Sequence, residues 1–119
     1  MIAHHHDPYV NVVPVWFEWT GDAIEFFTQP SRPKVERLRH DPRLSVLVSA
    51  EVSEPVYWVR VEGRAELHGD AAELVERLTD RYLARQSTDV SVLRGQLLDS
   101  ASDAIRVRVV PDRIWHFVR

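Results

Sequence analysis

The segment from Tyr9 to Trp19, YVNVVPVWFEW, restricts the fold more than any other part of the chain. Its valines and aromatic residues are typical of a β-strand, in which side chains alternate between two faces. Apolar side chains fill both faces, with Val13, Val15, Phe17 and Trp19 on one and Val12, Pro14 and Trp16 on the other. Other parts of the protein must therefore cover both faces. Pro14 has no N–H group to donate, which predicts a bulge or an unpaired edge in the middle of the strand.

Length and composition favour one domain. The chain has 119 residues, of which 45% are hydrophobic, so a single domain covering residues 1–119 is expected. The absence of cysteine excludes disulfides and thiolate metal sites. The net charge of -3 disfavours a general nucleic-acid binder. No apolar run is long enough for a membrane span, and Met1 to Asp7 lack the apolar core of a signal peptide. A cytoplasmic protein without membrane contact is therefore expected.

Five more segments have the alternating pattern of strands. They are Ala23 to Thr28, Leu44 to Ser49, Val56 to Leu67, Ala104 to Val110 and Arg113 to Val118. Tight turns are expected at Thr20-Gly21-Asp22 and at Pro111-Asp112, and a bend at Gly63.

Three helices are expected between the strands. A short helix that buries Val35 and Leu38 follows the break at Gln29 to Pro33. A second helix begins at a capping box of Asp70 and Glu73 and ends near Arg85. Its buried stripe consists of Leu74, Val75, Leu78 and Tyr82, and a third helix lies near Val90 to Asp99. The order of elements predicts a mainly β fold, a small six-stranded antiparallel barrel, closed or half closed, with short helices at one end.

The segment Ser31-Arg32-Pro33-Lys34 is a candidate phosphate site, because it lies where a strand gives way to a helix. A guanidinium can hold two phosphate oxygens, and the single lysine of the chain, Lys34, adds a compact charge. The alternative is an ordinary solvated loop in which Ser31 caps the helix, and the spacing alone slightly favours that alternative.

Three tryptophans, Trp16, Trp58 and Trp115, are hard to explain as simple core residues, since Trp58 and Trp115 have polar neighbours. They fit a planar ring system, a subunit interface or the edge of a packed core. His4, His5 and His6 are adjacent and extended, so they cannot all bind one ion, and no metal site is expected. The sequence contains no recognisable arrangement of hydrolytic residues, and no catalytic residue is assigned.

The sequence PVWFEWTGDAIEFFTQPSRPKVERLRHDPRLSVLVS, followed by YWVRVEGRAEL, resembles the pyridoxamine 5'-phosphate oxidase-like superfamily of flavin and deazaflavin oxidoreductases. The order P-V-W-F, F-x-T, R-x-K, L-R-x-D-P-R and V-x-V-x-G-x-A-x-L is typical of that family. The resemblance covers Val10 to Leu67 well and the closing P-x-R-I-W more weakly. It implies a six-stranded antiparallel split β-barrel of the FMN-binding type, and a homodimer that holds two cofactors between its subunits.

The resemblance also implies roles for particular residues. Arg32 and Lys34 would hold the cofactor phosphate, and Phe27 and Thr28 would contact the phosphate or ribityl region. The backbone of Val12, Val13, Pro14 and Val15 would lie along the ring. Trp58 and Trp115 would contact the flavin, Trp115 from the second subunit.

Two departures from the family pattern affect the functional prediction. Only Met1 to Pro8 stand where members usually have a helix and a full strand, so one barrel edge is expected to be short. The C-terminal Arg-x-His motif of true pyridoxamine-phosphate oxidases is missing, which argues against vitamin B6 oxidation. The R-x-K spacing is closer to the branch that uses the deazaflavin coenzyme F-420 than to the FMN oxidases.

The leading hypothesis is an FMN- or F-420-dependent oxidoreductase in which the cofactor transfers a hydride to an unknown small-molecule substrate. One alternative is a non-catalytic protein that carries a flavin, or binds haem through His4 to His6. A cofactor-free dimeric scaffold is the third hypothesis.

Overall fold

The computed structural model describes residues 1–6, 9–49, 54–55, 57–84 and 89–118, and for residues 4–6, 9–11, 117 and 118 it describes the backbone alone. Seven strands and three helices lie in this part of the chain. The strands are β1 (Ile2–His6), β2 (Tyr9–Val13), β3 (Glu18–Trp19), β4 (Ile24–Thr28), β5 (Arg43–Ser49), β6 (Tyr57–His68) and β7 (Ile105–Val118). The helices are α1 (Pro33–His40), α2 (Ala72–Leu83) and α3 (Ser91–Asp99).

All seven strands form one antiparallel sheet in the order β2-β1-β5-β6-β7-β4-β3. In a flat sheet the outer strands β2 and β3 would lie about 29 Å apart, at ~4.8 Å per strand. The chain passes from Val13 at the end of β2 to Glu18 at the start of β3 in five residue steps, which span at most about 18 Å. The sheet must therefore curl until its two edges approach each other. The predicted split barrel is confirmed, with seven strands instead of six.

The four residues that join the two edges, residues 14–17, are not part of a strand, and we call them the closing segment. The sequence predicted a single strand from Tyr9 to Trp19, which is wrong. Pairing stops at Val13 and resumes at Glu18, with a different partner strand. Pro14 explains the break, because it cannot donate to a ladder. The two halves of the predicted strand belong to opposite edges of the sheet.

Strand β1 was missed by the sequence analysis, which treated Met1 to Pro8 as an extended tail. Ile2 is fully buried in the core, and β1 pairs with both β2 and β5. The three histidines of this strand give no alternating apolar signal, so only its backbone pairing with distant β5 defines it. The rest of the interior is filled by Ile24, Phe26, Leu38, Leu44, Val46, Val61, Val107 and Val109.

Strand β7 runs without interruption through Pro111 and Asp112, where the sequence predicted a turn between two strands. That prediction is wrong. Along β6, Glu62 pairs with Arg113 and Gly63 pairs with Pro111, so Asp112 is an extra residue in β7. The irregularity bends the ladder at Gly63, as expected, and the long partner strand β6 holds both halves of β7 together.

The helices bury most of the predicted residues, but their N-cap residues differ from those that the sequence suggested. Val35 and Leu38 of α1 are buried, as are Leu74, Val75 and Leu78 of α2, whereas Tyr82 is partly exposed. The predicted capping box is wrong, because the N-cap of α2 is Ala71 and the Asp70 carboxylate accepts hydrogen bonds from Arg106. Arg32, not Ser31, is the N-cap of α1. Val56 and Arg85, the expected ends of a strand and a helix, lie outside the described residues. None of the helices described is long and apolar enough to span a membrane.

Replacing Gly63 by alanine is expected to lower the free energy of unfolding by about 1–3 kcal/mol, because the new methyl group would collide with the carbonyl oxygen of Val110. Gly69→Ala is a matched control, since no heavy atom lies within 4 Å of a Cβ atom placed there. That variant is expected to change the free energy of unfolding by less than about 1 kcal/mol. Urea unfolding measures both. Equal midpoints for the two variants would contradict the predicted collision.

Candidate functional site

A pocket of about 360 Å³ lies between the closing segment, β4, α1 and α3, and we call it the Lys34 pocket. Its walls are formed by Pro14, Val15, Trp16, Phe27, Lys34 and Leu97. Two of these side chains are aromatic and one is charged. Most sites for small molecules and cofactors have this composition, an apolar wall with a few polar groups.

The start of α1 places the charged group. Pro33 occupies the first turn, where its fixed φ angle favours a helix and its missing N–H has no cost. Lys34 follows directly, so its side chain leaves the helix at the first turn, while Val35 and Leu38 anchor the helix in the core. The positive end of the helix dipole adds to the charge of Lys34.

The Lys34 ammonium is half-buried, and two effects lower its pKa from the usual value of a lysine. Burial is the larger effect, since it removes the charged form from water, and the neighbouring Arg32 guanidinium adds repulsion. Among the described residues, no carboxylate forms an ion pair with Lys34 or Arg32. Two adjacent cations without such a partner attract an anion.

The other residues assigned from the family resemblance lie in different parts of the structure, and only some of them line the Lys34 pocket. Phe27, Pro14 and Val15 line the Lys34 pocket, and buried Thr28 follows Phe27 in β4. Arg32 is exposed beside the pocket, at the N-cap of α1. Val13 packs against the core, and Val12 points away from the pocket. The structure therefore brings together four of the ten assigned residues in one pocket, with Arg32 and Thr28 next to it in the chain.

Val12 and Trp58 line a different cavity of about 560 Å³, which we call the outer groove. It runs across β2, β1, β5 and β6, and the remaining lining residues are Met1, Ile2, Ala3, Ser45, Leu47, Ser49 and Arg60. The groove and the Lys34 pocket share no lining residue. Within one chain, Trp58 does not contribute to the pocket that contains Lys34.

Trp115 lies on β7, opposite Arg60 of β6, and is 45% exposed. Its indole N–H donates to Glu62 at 3.0 Å, and the Arg60 guanidinium lies over its ring at 5.5 Å from the centroid. The ring is thus held against the sheet with a large part of its surface open to solvent. Like Trp58, it does not line the Lys34 pocket of its own chain.

Two residues near the site were missed by the sequence analysis, Leu97 and the hydroxyl of Tyr82. Leu97 lies on α3, next to Leu98, which packs on the small core beneath that helix. Tyr82 stacks on Trp16 with the ring centroids 5.1 Å apart. No local pattern identifies either residue, because the pocket combines segments more than 60 positions apart in the chain. The sequence placed Tyr82 on the buried stripe of α2, where the structure leaves it partly exposed. Its contact with the closing segment depends on the curl of the sheet.

No metal site is found among the described residues, since none of their histidine, aspartate and glutamate side chains form a group of three or more. The side chains of His4, His5 and His6 lie outside the described part of the structure, so the expectation for them remains a prediction. The chemistry available at the Lys34 pocket is the binding of an anion beside an aromatic and apolar surface.

Comparison with known proteins gives a family and a set of similar structures. The family model described as pyridoxamine 5'-phosphate oxidase matches residues 3–115. An F-420 reductase superimposes with a TM-score of 0.72 and 21% identity, covering 96% of this chain and 86% of its own. A conserved hypothetical protein from Mycobacterium tuberculosis gives a TM-score of 0.71 and 21% identity, over 98% and 74% of the two chains. A FAD-binding protein from Mesorhizobium loti gives 0.64 and 22%, over 97% and 79%. No curated protein sequence matches significantly.

The structural neighbours are less than 25% identical, so they support the split-barrel fold alone. The family model is the stronger finding, because it matches almost the entire chain, from β1 to Trp115 in β7. The chain belongs to the pyridoxamine 5'-phosphate oxidase family.

Proposed function

We propose that this protein is an oxidoreductase that binds FMN or the deazaflavin coenzyme F-420 and transfers a hydride between that cofactor and a small-molecule substrate. The observation that carries the proposal is the half-buried Lys34 ammonium, which has no carboxylate partner among the described residues and faces an aromatic, apolar pocket. A phosphorylated cofactor with a flat ring fits both properties. Structures with the same fold include an F-420 reductase and a FAD-binding protein.

The charges would bind the phosphate. Lys34 supplies a compact ammonium and Arg32 a guanidinium that can hold two oxygens at once. Because Lys34 is partly removed from water, its attraction to a phosphate is screened less than that of a fully exposed lysine. A bound phosphate would also offset the repulsion between Lys34 and Arg32.

The apolar walls would hold the ring and exclude water. Trp16 and Phe27 are flat surfaces for stacking, Leu97 adds an apolar contact from α3, and Pro14 and Val15 present the backbone of the closing segment. When bound, the flavin or deazaflavin ring supplies the chemistry, by accepting or giving the hydride. The residues of the pocket would orient it, so no acid or base from the protein is required.

The second part of the proposal is a homodimer with the cofactor at the interface. Large apolar side chains are exposed on or beside the outer groove, with Met1 at 47%, Val12 at 53%, Leu47 at 38% and Trp115 at 45%. Contiguous apolar surface of this kind typically marks an interface. Pairing two copies about a two-fold axis would cover the groove, and it would allow Trp58 and Trp115 to approach the partner's cofactor.

Titration of the purified protein with FMN and with F-420, followed by visible absorbance, tests the proposed function. A perturbed flavin or deazaflavin spectrum with saturable binding is expected for one of them. A Soret band in the purified protein would favour the haem alternative, and no binding of either cofactor would overturn the proposal. Bound cofactor that is reoxidised by small acceptors no faster than free cofactor would identify a carrier instead of an enzyme.

Lys34→Ala is expected to weaken binding of the phosphorylated cofactor by about ten- to a hundredfold, since a charge-assisted contact contributes roughly 1.5–3 kcal/mol. Riboflavin, which lacks the phosphate, should bind the wild type and this variant equally. Arg39→Ala is the matched control, because it removes an exposed cation from α1 that pairs with Glu36 outside the pocket. Unchanged affinity of Lys34→Ala for both phosphorylated cofactors would place the phosphate site elsewhere.

Affinity for the phosphorylated cofactor is also expected to fall at alkaline pH. The pKa of Lys34 is lowered in the free protein, and a bound phosphate would raise it again, so the complex keeps a proton that the free protein loses. Above the free-protein pKa, the dissociation constant should therefore rise by up to about tenfold per pH unit. Isothermal titration calorimetry measures this over a range from neutral pH to just below the ordinary pKa of a lysine. Riboflavin is the control for ionisation of the ring, and a parallel pH dependence for both ligands would contradict the role of Lys34.

For the dimer, sedimentation at micromolar concentration is expected to give about twice the chain mass of 13.8 kDa. Leu47→Glu places a charge in the outer groove and should shift the protein toward monomer without unfolding it, because Leu47 is already 38% exposed in a single chain. Val92→Glu is the control, since Val92 is an exposed apolar residue on α3 that does not line the groove. A wild-type protein that sediments as a folded monomer would overturn this part of the proposal.

A further inference from the structure

The hydroxyl of Tyr82, near the end of α2, contacts the backbone of the closing segment twice. It accepts a hydrogen bond from the Phe17 N–H group at 3.3 Å and donates to the Phe17 carbonyl oxygen at 3.4 Å. The Tyr82 ring also stacks on Trp16, with 5.1 Å between the centroids and 11° between the planes. One side chain therefore contacts two consecutive residues of this segment.

The closing segment depends on contacts of this kind. Residues 14–17 lie between β2 and β3 without belonging to either, so the ladders that fix a strand do not fix them. Three of the six residues that line the Lys34 pocket, Pro14, Val15 and Trp16, belong to this segment. The shape of that wall is therefore set by whatever holds the segment in place.

Helix α2 is well placed to do this. Its inner stripe, with Leu74, Val75 and Leu78, is buried, so its position is fixed by packing. From the same helix Arg77 donates to the Glu18 carboxylate at 3.1 and 3.2 Å, one residue beyond Phe17. The helix thus holds the end of the closing segment through Glu18 and its last residues through Tyr82.

We propose that Tyr82 is a positioning residue for the cofactor ring, which keeps Trp16 and the backbone of Phe17 in the arrangement that binds the ring. This inference rests on the proposed function of the Lys34 pocket. Tyr82 itself does not line that pocket. It would act through pre-organisation, because a wall that is already fixed loses less freedom when a ligand binds.

The proposal separates two sides of the pocket by their response to ligands. Lys34 binds the phosphate, so its removal weakens the binding of FMN and leaves the binding of riboflavin unchanged. Tyr82 holds the wall beside the ring, and FMN and riboflavin have the same ring. Removal of its hydroxyl therefore weakens the binding of both ligands by the same factor. A general loss of stability would also weaken both ligands, but it would speed amide exchange at Val61 in the core as well as at Phe17.

The test uses Tyr82→Phe, which removes the hydroxyl and keeps the ring stack on Trp16. Thr79→Val is the matched control, since it removes a buried hydroxyl without a hydrogen-bond partner from the same helix. Amide hydrogen exchange, read by NMR, is expected to be faster at Phe17 in Tyr82→Phe by about three- to tenfold, and unchanged at Val61 in the core. Affinity for FMN and for riboflavin should each fall by about three- to tenfold.

Thr79→Val should change none of these values. Tyr82→Leu, which also removes the stack on Trp16, should lower the affinity for both ligands further.

If the wild type binds F-420 and not FMN, F-420 and its phosphate-free deazaflavin analogue take the places of FMN and riboflavin in this test. Faster exchange at Phe17 together with unchanged affinity for both ligands would overturn the positioning role, as would a loss of FMN affinity alone. Unchanged exchange at Phe17 would show that the hydroxyl does not hold the segment. If the wild type binds neither FMN, riboflavin nor F-420, the proposed function fails first, and the exchange data alone then show whether Tyr82 fixes the closing segment.

Discussion

The short connection between the two edges of the sheet is the constraint on which the rest of the structure depends. Five residue steps, from Val13 to Glu18, span at most about 18 Å, whereas a flat sheet would hold the two strands about 29 Å apart. The sheet has to curl, and the curl encloses the core around Phe26 and Val46. The same connection is not paired as a strand, and Pro14 at its start has no N–H group to donate. Its side chains are therefore available to form the wall of a pocket, and a helix has to hold it from outside.

The Lys34 pocket places a positive charge against an apolar wall, and these two properties oppose each other. An ammonium is more stable in water than beside Trp16 and Phe27, which is why the pKa of Lys34 is lowered, chiefly by burial. Folding tolerates this cost because Val35 and Leu38, the next inward residues of α1, anchor the helix in the core. A phosphate at the pocket would balance the charge of Lys34, so ligand binding and the stability of this region would be linked.

The sequence allowed prediction of those parts whose pattern is local. Val35 and Leu38 mark α1, Leu74 and Leu78 mark α2, and Gly63 marks the bend of β6, all as found. Strand β1 and the continuous β7 were missed because pairing with a distant strand defines them, not their own residues. In the site, the family pattern assigned Phe27 and Lys34, which the fold brings into one pocket. Leu97 and Tyr82 lie on helices α3 and α2. The closed sheet places these helices near the pocket, and no local sequence pattern predicts that position.

The position of Trp115 gives a physical reason why the outer face of the sheet would bind a second surface. A free tryptophan side chain on a protein surface loses rotational freedom when it is buried by a partner. Trp115 has already lost much of it, because Glu62 accepts a hydrogen bond from its N–H and Arg60 covers one face of its ring. The exposed remainder is apolar and lies on the same sheet as the outer groove. An aromatic group held in this way binds a flat partner at a low entropic cost, whether that partner is the ring of a cofactor or the matching face of a second copy.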